Sequence, residues 1–101
     1  MKPVVVLEEA AEDIEHARNF YDARERGIGD YCADSLVATI DRLGLFHGIH
    51  SKHFGFYRML ADRFPFGIYY LKTEIEIQVF AVLDLRRNPL WIRAELSKRK
   101  A

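Results

Sequence analysis

From Ile75 to Asp84 the chain alternates in a way that fits only an extended strand. Ile75, Ile77, Val79, Ala81 and Leu83 fall on one face, and Glu76, Gln78, Phe80, Val82 and Asp84 on the other. Two further runs suited to strands precede it, at residues 56–61 and 67–72. Pro65 marks the first connection, and Thr73-Glu74 the second. Connections this short make the three strands an antiparallel meander. The face carrying Ile75, Ile77, Val79, Ala81 and Leu83 is expected to meet helices. The other face carries Phe80 and Val82, an apolar patch that calls for a partner or a covering tail.

The N-terminal half supplies the helices. Val4, Val5 and Val6 read as a short strand, with Pro3 at its start or on an edge. Residues 8–26 read as a helix with Ala10, Ile14, Ala17 and Tyr21 on its apolar stripe, widened by Phe20. Glu8, Glu9, Glu12 and Asp13 at its start and Arg24 and Arg26 at its end complement the helix dipole. Gly27 and Gly29 stop it. Asp30 is expected to cap a second helix, whose stripe is Ala33, Leu36, Val37, Ile40 and Leu43. So short a link folds the pair into an αα-hairpin. A His- and Gly-rich loop follows Gly44, and residues 91–98 form a short basic helix after Asn88-Pro89.

The fold class is therefore α+β. An N-terminal αα-hairpin packs on a small, curved, mostly antiparallel sheet in the order β-α-α-β-β-β, with a short C-terminal helix. At 101 residues this is one domain, residues 1–101. Fifteen basic and fifteen acidic residues cancel, so any basic site is local. No apolar run approaches the ~18 residues of a membrane span. The apolar N-terminus is too short for a signal peptide. Cys32 is the only cysteine, which excludes an internal disulfide and fits a reducing compartment. The expected location is cytoplasmic, with no membrane partner.

Four arginines are the leading candidates for function: Arg58, Arg63, Arg86 and Arg87. A guanidinium fork matches phosphate or carboxylate, so clustered arginines suit RNA or an acidic protein segment. The plainer reading pairs them with Asp62, Asp84 and Glu76, or leaves them solvated. His47, His50 and His53 have a spacing conceivable for a metal, but no carboxylate or cysteine completes a set, and a solvated cluster is the expectation. Tyr57, Tyr69 and Tyr70 are proton donors, stacking platforms or core. Trp91 either stacks on a partner or packs the last helix on the sheet. Cys32 reads as a small buried residue. There is no Gly-rich phosphate loop, HExxH, GxSxG or CxxC.

Taken in order, these segments resemble the RelE/ParE superfamily of type II toxin–antitoxin toxins, also called plasmid stabilisation proteins, and lie nearer ParE. The resemblance rests on A-x2-D-I-x2-A-x2-F-Y from Ala10 to Tyr21, G-x-G-D from Gly27 to Asp30, and L-x3-I-x2-L from Leu36 to Leu43. It continues with G-x2-R-x-L-x2-R-F-P-F-x-I-Y-Y from Gly55 to Tyr70 and V-x-A-V-L-D-x-R-R-N-P from Val79 to Pro89.

The resemblance implies a cognate antitoxin whose flexible segment wraps the toxin, growth arrest when the toxin acts alone, and no cofactor or metal. RelE-like members cut mRNA on the ribosome; ParE-like members inhibit DNA gyrase. No Tyr or His follows Tyr70, and Asp84 stands where many relatives carry His. A general acid–base is thus missing where nucleases of this kind often place one. The expectation is a gyrase inhibitor acting by binding. Arg58, Arg63, Phe80, Arg86, Arg87 and Trp91 are the candidate target- or antitoxin-binding residues. The alternatives are a ribosome-dependent mRNA endonuclease using Arg58, Arg63, Arg86 and Arg87, and a non-toxic partner-binding relative.

Overall fold

The computed structural model describes residues 1–100. The chain runs β1 (Val4–Val6), α1 (Glu8–Asp22), α2 (Ile28–Asp41), α3 (Leu43–Phe46), β2 (Lys52–His53), β3 (Phe56–Leu60), β4 (Phe66–Lys72), β5 (Ile77–Asp84) and α4 (Pro89–Lys100). The sheet order is β1-β5-β4-β3-β2. β1 lies parallel to β5, and every other pairing is antiparallel. Strands 3 to 5 are the meander. The short α3 and β2 occupy part of the segment expected to be loop.

The G-x-G-D turn divides its work among its residues. α1 ends at Asp22 rather than near Arg26. The Asp22 carboxylate then accepts hydrogen bonds from the N–H groups of Gly27 and Gly29, each at 3.0 Å. Gly27 takes φ +92° as the residue preceding α2, a conformation that suits glycine. At Gly29 a Cβ would come within 2.2 Å of the Arg18 carbonyl oxygen, so only glycine lets the helices approach this closely. Asp30 is not the N-cap. It lies inside the first turn of α2 and pairs with Arg18 on α1.

The hairpin packs on one sheet face. Ala10, Ile14 and Ala17 of α1 and Ala33, Leu36 and Ile40 of α2 meet Ile68, Ile77, Val79 and Val82. Each large aliphatic side chain buried there contributes about 1.5–3 kcal/mol. Val37 stays exposed and Leu43 falls in α3, so the α2 stripe is narrower than its sequence suggests.

The alternation of β5 does not run through unbroken. Opposite Tyr69 and Tyr70 of β4 stand Ala81 and Val79, which leaves Phe80 as an extra residue on β5. This β-bulge shifts the strand by one position and reverses the faces beyond it. Ile77 and Val79 face the hairpin as expected, but Ile75 lies exposed in the turn before β5, and Ala81 and Leu83 turn to the opposite face. Val82, expected on the open face, joins the hairpin core instead. The opposite face is covered by α4, whose Ile92 and Leu96 bury Phe56, Tyr69, Ala81 and Leu83. The apolar patch therefore has a tail over it.

Candidate functional site

The C-terminal end of β5 gathers most of the chemistry. The Asp84 carboxylate accepts hydrogen bonds from Arg86 through its backbone N–H at 2.9 Å, Nε at 3.0 Å and Nη2 at 2.7 Å. Hydrogen bonding from Arg86 holds the Asp84 carboxyl below its ordinary pKa despite partial burial. The same guanidinium reaches the Tyr21 hydroxyl of α1 at 3.4 Å. Arg87 turns the other way and lies 3.6 Å above the Trp91 ring of α4, a cation–π stack. Beside Arg87 a groove of about 230 Å³ opens, with His16, Phe20, Phe66, Asp84, Arg87 and Trp91 on its walls.

The four arginines do not form one patch. Arg63 is exposed in the turn between β3 and β4. That turn is anchored by Phe64, whose ring meets Tyr21 at 4.9 Å and Tyr31 at 5.7 Å. Arg58 pairs across the ladder with Tyr69 and lies on the α4 side of the sheet, whereas Arg86 points to the α1 side. Arg58 Nε is buried without a hydrogen-bond partner. Gly67 permits this packing, since a Cβ there would meet Leu85, Arg58 and Tyr69 at 3.0–3.1 Å. Phe80 and Trp91 both pack at the margin of the α4 core, Phe80 against Phe56 at 5.2 Å.

Two features of this region depend on contacts between residues that no local pattern brings together. His53 comes within the electrostatic reach of Arg58; burial first, then the Arg58 charge, lowers its pKa. Asp13 and Arg99, distant in sequence, form a bidentate pair in which both side chains are nearly buried. The remaining candidates have structural partners. Tyr69 and Tyr70 are fully buried, and Tyr57 stacks on Tyr70 at 5.3 Å. The three histidines diverge: His47 bonds the Leu43 carbonyl, His50 the Tyr70 hydroxyl and His53 the Ser51 hydroxyl. Among the described residues no group of three or more His, Cys, Asp or Glu is placed to hold a metal. Burial raises the Cys32 thiol to about 11, which leaves it inert.

No family model matches the sequence, and no curated protein matches it. The fold does have a counterpart. The chain superposes with a TM-score of 0.73 on a chain of the chromosomal ParDE TA system from P. aeruginosa, at 18% identity, covering 81% of this chain and 94% of that one. The chain has a RelE/ParE-like fold.

Within that RelE/ParE-like fold, the end of β5 joins three elements. Arg86 links it to α1, and Arg87 links it to α4. At this sheet terminus one guanidinium is fixed by a carboxylate and the other is stacked on indole. No helix is long and apolar enough to cross a membrane among the described residues.

Proposed function

We propose that the chain is the toxin of a type II toxin–antitoxin system, neutralised by a cognate antitoxin and acting by binding an essential target, DNA gyrase. The likeness to the ParDE chain supports the toxin and the antitoxin partner. The observation that carries the binding mechanism is the placement of α4. This helix fills the sheet face that carries Arg58 and makes it core, with Ile92 and Leu96 over Phe56, Tyr69 and Leu83. With that face filled, the binding groups of this reading lie at the end of the sheet, Arg86 on the α1 side and Arg87 and Trp91 on the α4 side, rather than in an open cleft for RNA. Arg63, exposed at the same end of the sheet, and Phe80 at the core margin complete the proposed contact set. Gyrase as the target rests on analogy of fold.

Inducing the chain in bacteria without an antitoxin tests the toxin reading. Growth should stop, and co-expression of a cognate antitoxin should restore it. Normal growth at good expression would leave only a non-toxic partner-binding module.

One observation favours a ribosome-dependent mRNA endonuclease instead. His53 and the Tyr69 hydroxyl both lie beside Arg58, which supports acid–base chemistry next to a guanidinium. Cleaved mRNA on arrest, abolished by His53→Ala, would decide for that reading.

A further inference from the structure

A second cluster of donors lies at the opposite end of the sheet, on the hairpin side. The buried Tyr70 hydroxyl accepts the Gly48 N–H at 3.0 Å and lies 2.5 Å from His50 Nδ1. The Tyr70 hydroxyl can donate its proton to Nδ1 or accept the Nδ1 hydrogen, according to the imidazole tautomer. In the tautomer with Nδ1 as acceptor, Nε2 of His50 carries the imidazole hydrogen. It has no partner among the described residues and is open to solvent. Lys52 and Lys72 extend over the Tyr57 ring, their Nζ atoms 5.1 and 5.6 Å from its centroid. Lys72 Nζ also lies 2.6 Å from where a Cβ on Gly48 would stand, so the glycine admits the ammonium against the loop backbone. Neither lysine has a carboxylate partner among the described residues.

Two ammonium groups and an oriented N–H around one loop are donors without an acceptor. Two ammonium groups without carboxylate partners at one tyrosine ring attract an anion. Lysine binds phosphate as a point charge, and the imidazole N–H adds a directed bond. We propose that His50, Lys52 and Lys72 form a binding site for a phosphate group, seated over the Gly48 loop. The site is remote from Arg86 and Arg87 and does not depend on the toxin reading.

Titration of the ¹⁵N-labelled chain with inorganic phosphate at constant ionic strength tests this. The Gly48 and Ile49 amides and the His50 ring should shift to saturation, while sodium chloride leaves them in place. Lys72→Gln and Lys52→Gln, both at exposed positions, should each weaken binding about tenfold. Shifts that never saturate, that chloride reproduces, or that survive in both variants would overturn the site. Adenosine 5′-monophosphate against adenosine, and a 5′-phosphorylated oligonucleotide against its dephosphorylated form, then distinguish a free phosphoester from a nucleic-acid end.

Discussion

Asp13 of α1 and Arg99 of α4 meet across the edge of β5, where β1 no longer covers it. Asp13 accepts the Val82 N–H at 2.9 Å, and Arg99 Nη1 donates to the Phe80 carbonyl at 3.2 Å. Arg99 Nη2 also bonds the other Asp13 oxygen at 2.9 Å, and Nε bonds Glu95 at 3.1 Å. The backbone groups around the bulge are therefore satisfied by two side chains that satisfy each other. The Arg99 side chain is only 7% exposed and that of Asp13 10%. Losing Arg99 strands the Asp13 charge with the Val82 N–H alone, whereas losing Asp13 leaves Arg99 paired with Glu95. Arg99→Ala should destabilise the fold by about 3–5 kcal/mol, and Asp13→Ala by less. Urea unfolding checks this, and a double-mutant cycle should show strong coupling. Losses no larger than those of exposed pairs would separate α4 from this clamp.

The two turn glycines should differ in cost. Gly27→Ala meets no atom within 4 Å but must hold φ +92°, at about 1–2 kcal/mol. Gly29→Ala drives a Cβ into the backbone of α1 and should cost more, by forcing the helices apart. Melting temperatures of the two variants settle the order.

Burial of His50 lowers its pKa from the ordinary value. His53 shifts the same way, through burial first and then the Arg58 charge. An unfolded chain therefore takes up protons first as pH falls below about 6.5. The stabilisation is complete above that pH and is lost below it, down to the folded pKa. Urea midpoints should fall between pH about 7.5 and about 5.5. His50→Asn should flatten part of that fall. An unchanged slope in the variant would contradict the assignment.

Arg86→Ala should leave the fold intact, because the pair with Asp84 is largely exposed on the arginine side. The Asp84 carboxyl should return toward its ordinary pKa, visible by NMR titration. Affinity for antitoxin or target should drop at the same time. Arg86→Ala/Arg87→Ala with full affinity and toxicity would return both arginines to a solvated surface.

The elements with strong local signals were legible in the sequence. Ala10, Ile14 and Ala17 repeat at helical spacing, and residues 56–61, 67–72 and 75–83 are apolar runs between turn residues. Both kinds of signal need only near neighbours. The bulge at Phe80 was not legible, because it depends on which residues of β4 stand opposite. Ala81, Val82 and Leu83 were consequently assigned to the wrong faces. Asp30 resembled a cap because caps are read from residue type, yet Asp22 ties the turn and Gly27 starts the helix. The Asp13–Arg99 pair spans nearly the whole chain; Asp13 is a fixed position of the A-x2-D-I motif, but nothing local marks Arg99 as its partner. For the site, Arg86 and Arg87 were legible as a strand exit, but their divergence to Tyr21 and Trp91 required the positions of α1 and α4.

Supercoiling by purified DNA gyrase in the presence of the purified chain tests the central claim most directly. Supercoiling should fall as the chain is added and recover when its antitoxin is supplied, while mRNA on ribosomes stays whole. Undiminished supercoiling, with mRNA cut in the parallel ribosome reaction, would contradict the claim.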